Sequence, residues 1–164
     1  MANSVLVIGY GNPGRRDDGL GPALAEAVER LRIPGVTVES DYQLTVEDAA
    51  ATAAHRYVVF ADAWVGDCAP FVFRQVLPAA YTSFSTHSIE PEAVLALAHD
   101  LFQAKTKGYA LGIRGKRFDE FGETLSDEGR ENLAAALDFI VPMLKTCSFG
   151  AVTRRTPMSS RQDT

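Results

Sequence analysis

The sequence is short of cysteine and of positive charge. Its two cysteines, Cys68 and Cys147, are too few for a disulfide framework or a zinc site built from thiolates, and they fit a reducing compartment. Its 16 lysines and arginines are outnumbered by 21 aspartates and glutamates, which gives a net charge of −5. An acidic chain without a basic stripe is a poor partner for nucleic acid or for an anionic membrane, so we expect it to bind neither.

Long apolar runs are also missing. No run approaches the roughly 18 residues that a membrane-spanning helix needs. The N-terminal segment shows neither the positively charged region nor the small-residue cleavage site of a secretory signal. The composition, 46% hydrophobic and 23% charged over 164 residues, is that of one globular domain. We therefore expect a cytoplasmic protein, and we expect it to be a monomer.

Strand and helix patterns alternate along the chain. Short apolar runs typical of buried strands lie at 5–8, 36–38, 57–60, 71–73 and 109–113. Helical periodicity is found over 22–31, 45–54, 91–102 and 126–144, and it places Leu101 and Phe102 on the inward face of the third helix. This alternation predicts an α/β domain of three layers, with a mostly parallel five-stranded sheet and helices on both faces. The link between the third and fourth strands is too short for a parallel crossover, so the fourth strand should be antiparallel and at an edge.

The end of the chain has a different character. From Thr146 onward the sequence is polar, has no hydrophobic period and contains Pro157. We therefore predict a folded domain over 1–146 and a flexible C-terminal tail over 147–164.

The segment 9–14 matches the glycine pattern G-x-G-x-x-G and follows the first strand. A dinucleotide site is one interpretation of this pattern. In such a site a helix begins at the glycines, and its first amides face the pyrophosphate. Here the helical period begins only around Leu20, and the carboxylates of Asp17 and Asp18 would lie near the phosphates. A tight turn, in which Asp17 binds backbone amides, is the simpler interpretation.

Three potential metal ligands lie near strand ends in the predicted fold. Asp18 comes shortly after the first strand, Asp62 comes directly after the apolar part of the third, and His87 lies in the loop before the third helix. In parallel α/β folds, such positions meet at the carboxyl edge of the sheet. Two carboxylates and an imidazole suit a divalent ion such as nickel, zinc, manganese or iron. Turn, cap and surface roles for the same three residues remain open at this point.

Nucleophilic catalysis by a cysteine or a serine has weaker support. Cys68 could pair with His87, but the adjacent Asp67 would raise the pKa of a thiol rather than lower it. No G-x-S-x-G motif is present to activate a serine.

The order of these motifs resembles the nickel–iron hydrogenase maturation endopeptidases over about residues 4–145. The blocks that carry the resemblance are 7–13 (Val-Ile-Gly-Tyr-Gly-Asn-Pro), 16–22 (Arg-Asp-Asp-Gly-Leu-Gly-Pro), 59–63 (Val-Phe-Ala-Asp-Ala), 85–88 (Ser-Thr-His-Ser), 111–115 (Leu-Gly-Ile-Arg-Gly) and 122–126 (Gly-Glu-Thr-Leu-Ser). Several such blocks in this order are more specific than any one of them alone.

The resemblance implies a peptidase that removes a C-terminal extension from the precursor of a hydrogenase large subunit once nickel has been inserted. It also implies that Asp18, Asp62 and His87 bind the metal. The nickel would be carried by the precursor, and the free protein would bind another divalent ion such as zinc or cadmium weakly. A non-catalytic binding or chaperone module that senses the metal of the same precursor is the main alternative, and a dinucleotide-binding domain is a third.

Overall fold

The structure, a computed structural model, describes residues 4–67, 69–79 and 89–149. Cys68 and His87 therefore lie outside the described residues. The strands are β1 (Val5–Tyr10), β2 (Val36–Asp41), β3 (Tyr57–Trp64), β4 (Phe71–Val76) and β5 (Lys107–Arg114). The α-helices are α1 (Leu20–Leu31), α2 (Asp48–Ala53), α3 (Pro91–Phe102) and α4 (Asp127–Thr146), and a short 3₁₀ turn over Arg16–Gly19 precedes α1.

The five strands form one sheet in the order β2-β1-β3-β5-β4. β1 pairs in parallel with β2 and β3, and β3 pairs in parallel with β5. β4 is antiparallel to β5 and lies at the edge. The predicted fold class is confirmed, including the antiparallel edge strand that follows from the short link after β3.

Both faces of the sheet are covered by apolar clusters, because successive residues of a strand point to opposite faces. Val5 and Val7 pack in the cluster that includes residues of α1 and α4, whereas Leu6 and Ile8 pack in the cluster that includes residues of α2 and α3. This explains why β1 reads as a continuous apolar run. Among the described helices, none combines the length and the hydropathy that crossing a bilayer would require.

The helix boundaries follow local sequence signals, but the burial of two side chains in α3 differs from the prediction. Ser126 caps α4 by accepting the Gly129 N–H at 3.0 Å, and Pro91 occupies the first turn of α3, as predicted. The predicted burial of Leu101 and Phe102 is wrong, since these side chains are 67% and 52% exposed. The buried residues of α3 end at Ala98, one turn before the helix itself ends, so the helical period continues past the surface that it covers.

The C-terminal segment begins inside the core. Phe149 is 2% exposed, and its ring lies 5.0 Å from the ring of Tyr57 and 4.9 Å from that of Tyr109. The first residues of the segment that we predicted as a tail therefore belong to the domain, because an aromatic cluster at the start of β3 and β5 holds Phe149. Residues 150–164 lie outside the described residues, and for them the tail remains a prediction.

Replacing Phe149 with Leu is expected to lower the free energy of unfolding by about 1–2 kcal/mol, because it leaves a partial cavity between two tyrosine rings. Urea unfolding followed by circular dichroism measures the change. The matched control is Phe121→Leu, since Phe121 is 86% exposed and should tolerate the same substitution. Equal stability of the two variants would show that Phe149 does not belong to the core.

Candidate active site

The candidate site lies at the carboxyl edge of the parallel strands, where β1 ends and the turn over residues 11–14, which we call the glycine turn, begins. Gly9 of β1 is opposite Ala61 of β3, so the next residues along the two strands are Tyr10 and Asp62. We placed Asp62 at the end of its strand, directly after the apolar part, and β3 continues to Trp64 because it pairs with β5 as far as Arg114. Asp62 therefore sits on a paired strand rather than in a loop.

Asp18 is held by the glycine turn. One oxygen of its carboxylate, Oδ2, accepts the backbone N–H of Asn12 at 2.9 Å. The turn packs closely on Asp18: a Cβ atom at Gly11 would lie 2.1 Å from the Asp18 carbonyl oxygen, and Gly11 has φ 141°. Asn12 also stabilises the turn, since its side-chain oxygen accepts the Gly14 N–H at 2.9 Å. Glycine at position 11 is thus required for the backbone that carries Asp18.

Asp62 is partly buried, and its environment disfavours the charged form. Burial, together with the nearby carboxylates of Asp18 and Glu90, raises the pKa of Asp62 to about 6, although the Ala63 N–H, which donates to this carboxylate at 2.7 Å, acts in the opposite direction. Asp18 and Asp62 are therefore near enough to repel each other. Both carboxylates lie at this edge of the sheet, Asp18 in the turn that follows β1 and Asp62 near the end of β3.

Tyr10 completes the described part of the site. Burial raises the pKa of its phenol well above the usual value, and the carboxylates of Asp62 and Glu90 add to this effect. Tyr10 therefore stays protonated and lies beside the Asp62 carboxylate as a neutral hydroxyl. Sequence reasoning did not assign a role to Tyr10, although its place at the last position of β1, beside the strand that carries Asp62, was a usable signal.

Asp17, the neighbour of Asp18, has a different role. Its carboxylate is fully buried and accepts the backbone N–H groups of Lys116 (2.7 Å), Arg117 (2.9 Å) and Ser126 (2.8 Å), together with the Ser126 hydroxyl (2.5 Å). Burial alone would raise the pKa of Asp17, but these hydrogen bonds outweigh it and hold the pKa below its ordinary value. We predicted that Asp17 binds amides of its own turn, but the amides belong to the loop after β5.

His87 is the third predicted ligand, and it lies outside the described residues. Glu90, three positions later in the sequence, is close enough to act on the pKa of Asp62. Within residues 4–67, 69–79 and 89–149, no three histidine, cysteine, aspartate or glutamate side chains gather closely enough to hold a metal ion. The three-ligand site therefore stays a prediction. His99 serves the fold instead, since its Nε2 lies 2.8 Å from the Thr106 carbonyl oxygen.

The start of α1 argues against a dinucleotide site. The helix begins at Leu20, and the 3₁₀ turn that carries Asp17 and Asp18 separates it from Gly14. The first amides of α1 are therefore not at the glycines, where a pyrophosphate would need them.

Comparison with known proteins gives one consistent result. No family model matches the chain, and no curated protein sequence matches it. Among solved structures, it is similar to the nickel–iron hydrogenase maturation protease HycI from Thermococcus kodakarensis KOD1, with 23% identity and a TM-score of 0.70 over 87% of this chain and 93% of that one. It is similar to the hydrogenase maturating endopeptidase HybD from E. coli, with 21% identity and a TM-score of 0.65 over 88% and 94%. A hydrogenase 2 maturation peptidase from Thaumarchaeota archaeon SCGC_AB-539-E09 gives 20% identity and a TM-score of 0.63 over 86% and 97%.

These neighbours are peptidases by name, and they are the group that the sequence blocks resemble. The likeness extends over most of both chains in each comparison. The chain therefore has the fold of the hydrogenase maturation proteases, and the resemblance seen in its sequence is confirmed at the level of the fold.

Proposed function

We propose that this chain is an endopeptidase that removes the C-terminal extension from a nickel-loaded hydrogenase large-subunit precursor. The observation that supports the proposal is the position of Asp18, in the turn after β1, and of Asp62, near the end of β3, at the same carboxyl edge of a sheet with the maturation-protease fold. The sequence blocks around both residues support it. In this proposal the precursor is the partner, and the nickel belongs to the substrate.

Asp18, Asp62 and His87 recognise the nickel that the precursor already holds. Because the two carboxylates repel each other when both are charged, a cation between them is favourable. Carboxylates and an imidazole are suitable ligands for nickel, zinc and cadmium. The ion would thus report that the precursor has been loaded, and a protease with weak affinity for free ions would remain available for the next precursor.

Cleavage requires a water molecule and a polarised peptide carbonyl. A divalent ion supplies Lewis acidity of the kind that polarises a carbonyl oxygen. On the protein side, Asp62 accepts the Ala63 N–H, and Asp18 is fixed by the backbone N–H of Asn12. We propose that one of these carboxylates orients the attacking water.

Replacing His87 with Ala is expected to slow processing of the nickel-loaded precursor by about a hundredfold, because one of three recognition groups is lost. Processing is measured as the mobility shift of the precursor on a gel. Omitting nickel from the precursor should prevent the shift with the unmodified protein as well.

His55→Ala is the matched control. His55 follows α2 and precedes β3, so it lies at the amino ends of the parallel strands, whereas Asp62 lies near their carboxyl ends. It should leave the rate unchanged, whereas a wild-type rate in His87→Ala would exclude the proposed recognition site. If the protein binds the loaded precursor without shortening it, the non-catalytic chaperone module is the correct function.

A further inference from the structure

A groove with an apolar lining runs between α1 and the edge strand β2. Its volume is about 460 Å³, and a neighbouring hollow of about 170 Å³ continues it toward the glycine turn. Pro13, Pro22 and Ser40 line both parts, and Gly11 lines the end near the turn. The groove thus begins at the turn whose Asn12 amide holds the Asp18 carboxylate.

The backbone of β2 is open along this groove. β2 is the end strand of the sheet, and its other neighbour is β1. The carbonyl groups of Gly35 and Asp41 accept N–H groups from Val5 (2.9 Å) and Gly11 (3.0 Å), so the odd-numbered residues of β2 face β1. Because alternate residues of a parallel strand bond to opposite sides, the N–H and C=O groups of Val38 and Ser40, both of which line the groove, point away from the sheet.

Such an edge is a template for another strand. Within the part of the chain that the structure describes, no segment pairs with the outer side of β2. Many peptide-binding domains take an extended segment in this way: main-chain hydrogen bonds give affinity, and alternate side chains give specificity.

The charges around the groove select the kind of segment. The lining residues include the exposed side chains of Glu26, Glu29, Glu39 and Glu123, and no lysine, arginine or histidine is among the described residues that line it. Within the described residues, Glu26 pairs with Arg30, whereas the other three glutamates make no ion pair. The groove therefore favours positively charged side chains.

We propose that this groove binds an extended, basic segment of the hydrogenase precursor as an added strand on β2, an inference that rests on the proposed function. From Gly19 to Glu29, α1 rises by about 15 Å, the length of about five extended residues. A precursor segment seated here reaches the turn that holds Asp18. The groove thereby positions the precursor, and Asp18 and Asp62 meet its metal.

The experiment compares three proteins: the unmodified chain, the variant E29Q/E39Q/E123Q, and a control, E47Q/E131Q/D138N, which removes three charges from exposed residues elsewhere. The probe is a fluorescein-labelled peptide of alternating lysine and valine, six residues long, and a glutamate–valine peptide is its counterpart. We expect the lysine peptide to bind the chain and the control, with at least about tenfold weaker binding to the groove variant and weaker binding in high salt. Equal binding of the two peptides would overturn the inference.

Ser40→Pro tests the strand addition itself. It removes an outward-facing N–H that β1 does not use, and proline is tolerated at such edge positions. Circular dichroism checks that the variant folds. Lysine-peptide binding that survives in folded Ser40→Pro would exclude pairing along β2.

Processing of the nickel-loaded precursor separates this inference from the proposed function. We expect the groove variant to raise KM at least about fivefold while kcat stays near its original value, because the site residues are untouched. Cleavage with an unchanged KM overturns the groove and leaves the protease intact. Absence of cleavage by the unmodified chain overturns the protease, whereas the peptide comparison still decides whether the groove accepts a basic strand.

A competing occupant would be the chain's own residues 150–164, which include Arg154, Arg155 and Arg161. The full-length variant R154A/R155A/R161A tests it. Binding of the lysine peptide that appears only in this variant would assign the groove to the chain itself and would overturn the precursor as occupant.

Discussion

Replacing Asp62 with Asn is expected to reduce precursor processing by about a hundredfold or more and, at the same time, to stabilise the fold at neutral pH. The loss of processing follows from the removal of a carboxylate that we assign to metal recognition. The gain in stability follows from the position of Asp62, where burial and the neighbouring carboxylates of Asp18 and Glu90 disfavour a negative charge. A residue with a purely structural role would instead lower the free energy of unfolding when it is replaced.

The stability change should depend on pH in a defined direction. The pKa of Asp62 is about 6 in the folded protein, against a reference value of 3.8. Below pH 3.8, Asp62 is protonated in both the folded and the unfolded state, and it does not change the free energy of unfolding. As the pH rises from 3.8 to 6, Asp62 ionises more readily in the unfolded state, so the free energy of unfolding falls, and the loss is complete above that range. One pKa unit corresponds to about 1.4 kcal/mol, and after allowance for the partial exposure of Asp62 we expect Asn to add about 1–2 kcal/mol at pH 7.

Urea unfolding at pH 7 and at pH 4 measures this effect. The gain of Asp62→Asn should be present at pH 7 and nearly absent at pH 4. Asp100→Asn, at an exposed position on α3, is the control and should change little at either pH. A variant that is less stable than the unmodified protein at pH 7 would show that the Asp62 carboxylate supports the fold.

Replacing Asp17 with Ala should have the opposite consequence for stability, with a loss of about 3–5 kcal/mol at pH 7. The change leaves the N–H groups of Lys116, Arg117 and Ser126 without their acceptor in a site that water does not reach. It also cuts the link between the turn before α1 and the start of α4. This loss is a large part of the roughly 5–15 kcal/mol by which a typical domain is stable.

Chemical unfolding of Asp17→Ala beside Asp119→Ala checks this expectation, since Asp119 is an exposed aspartate in the same loop. Because the pKa of folded Asp17 is lowered, its contribution is present above the unfolded pKa of 3.8 and disappears as the pH falls through the folded value. The two variants should therefore converge in stability in strong acid. A loss below about 1 kcal/mol at pH 7 would contradict the role assigned to the buried carboxylate.

The sequence predicted the fold well because each strand of the sheet is a short apolar run and the link after β3 is too short for a crossover. It failed where burial depends on distant partners. Phe149 follows a polar stretch, and only the tyrosines at the start of β3 and β5 explain why it is buried. Leu101 and Phe102 continue the period of α3 beyond the surface that the helix covers.

The sequence predicted the positions of Asp18 and Asp62 at the carboxyl edge of the sheet, but not the electrostatics around them. The hydrogen-bond donors to Asp17 lie about a hundred positions later in the chain, and no local sequence pattern predicts these contacts. The raised pKa of Asp62 depends on its depth and on Asp18 and Glu90, which the fold brings near. The placement of His87 stays a prediction.

Mass spectrometry of a nickel-loaded hydrogenase large-subunit precursor, before and after incubation with this protein, tests the central claim most directly. We predict a product that lacks the C-terminal extension with the unmodified chain, and an intact precursor with Asp62→Asn even though that variant is folded and more stable. An intact precursor with both proteins, or the same shortened product with both, would contradict the claim that Asp18 and Asp62 form the site of a processing protease.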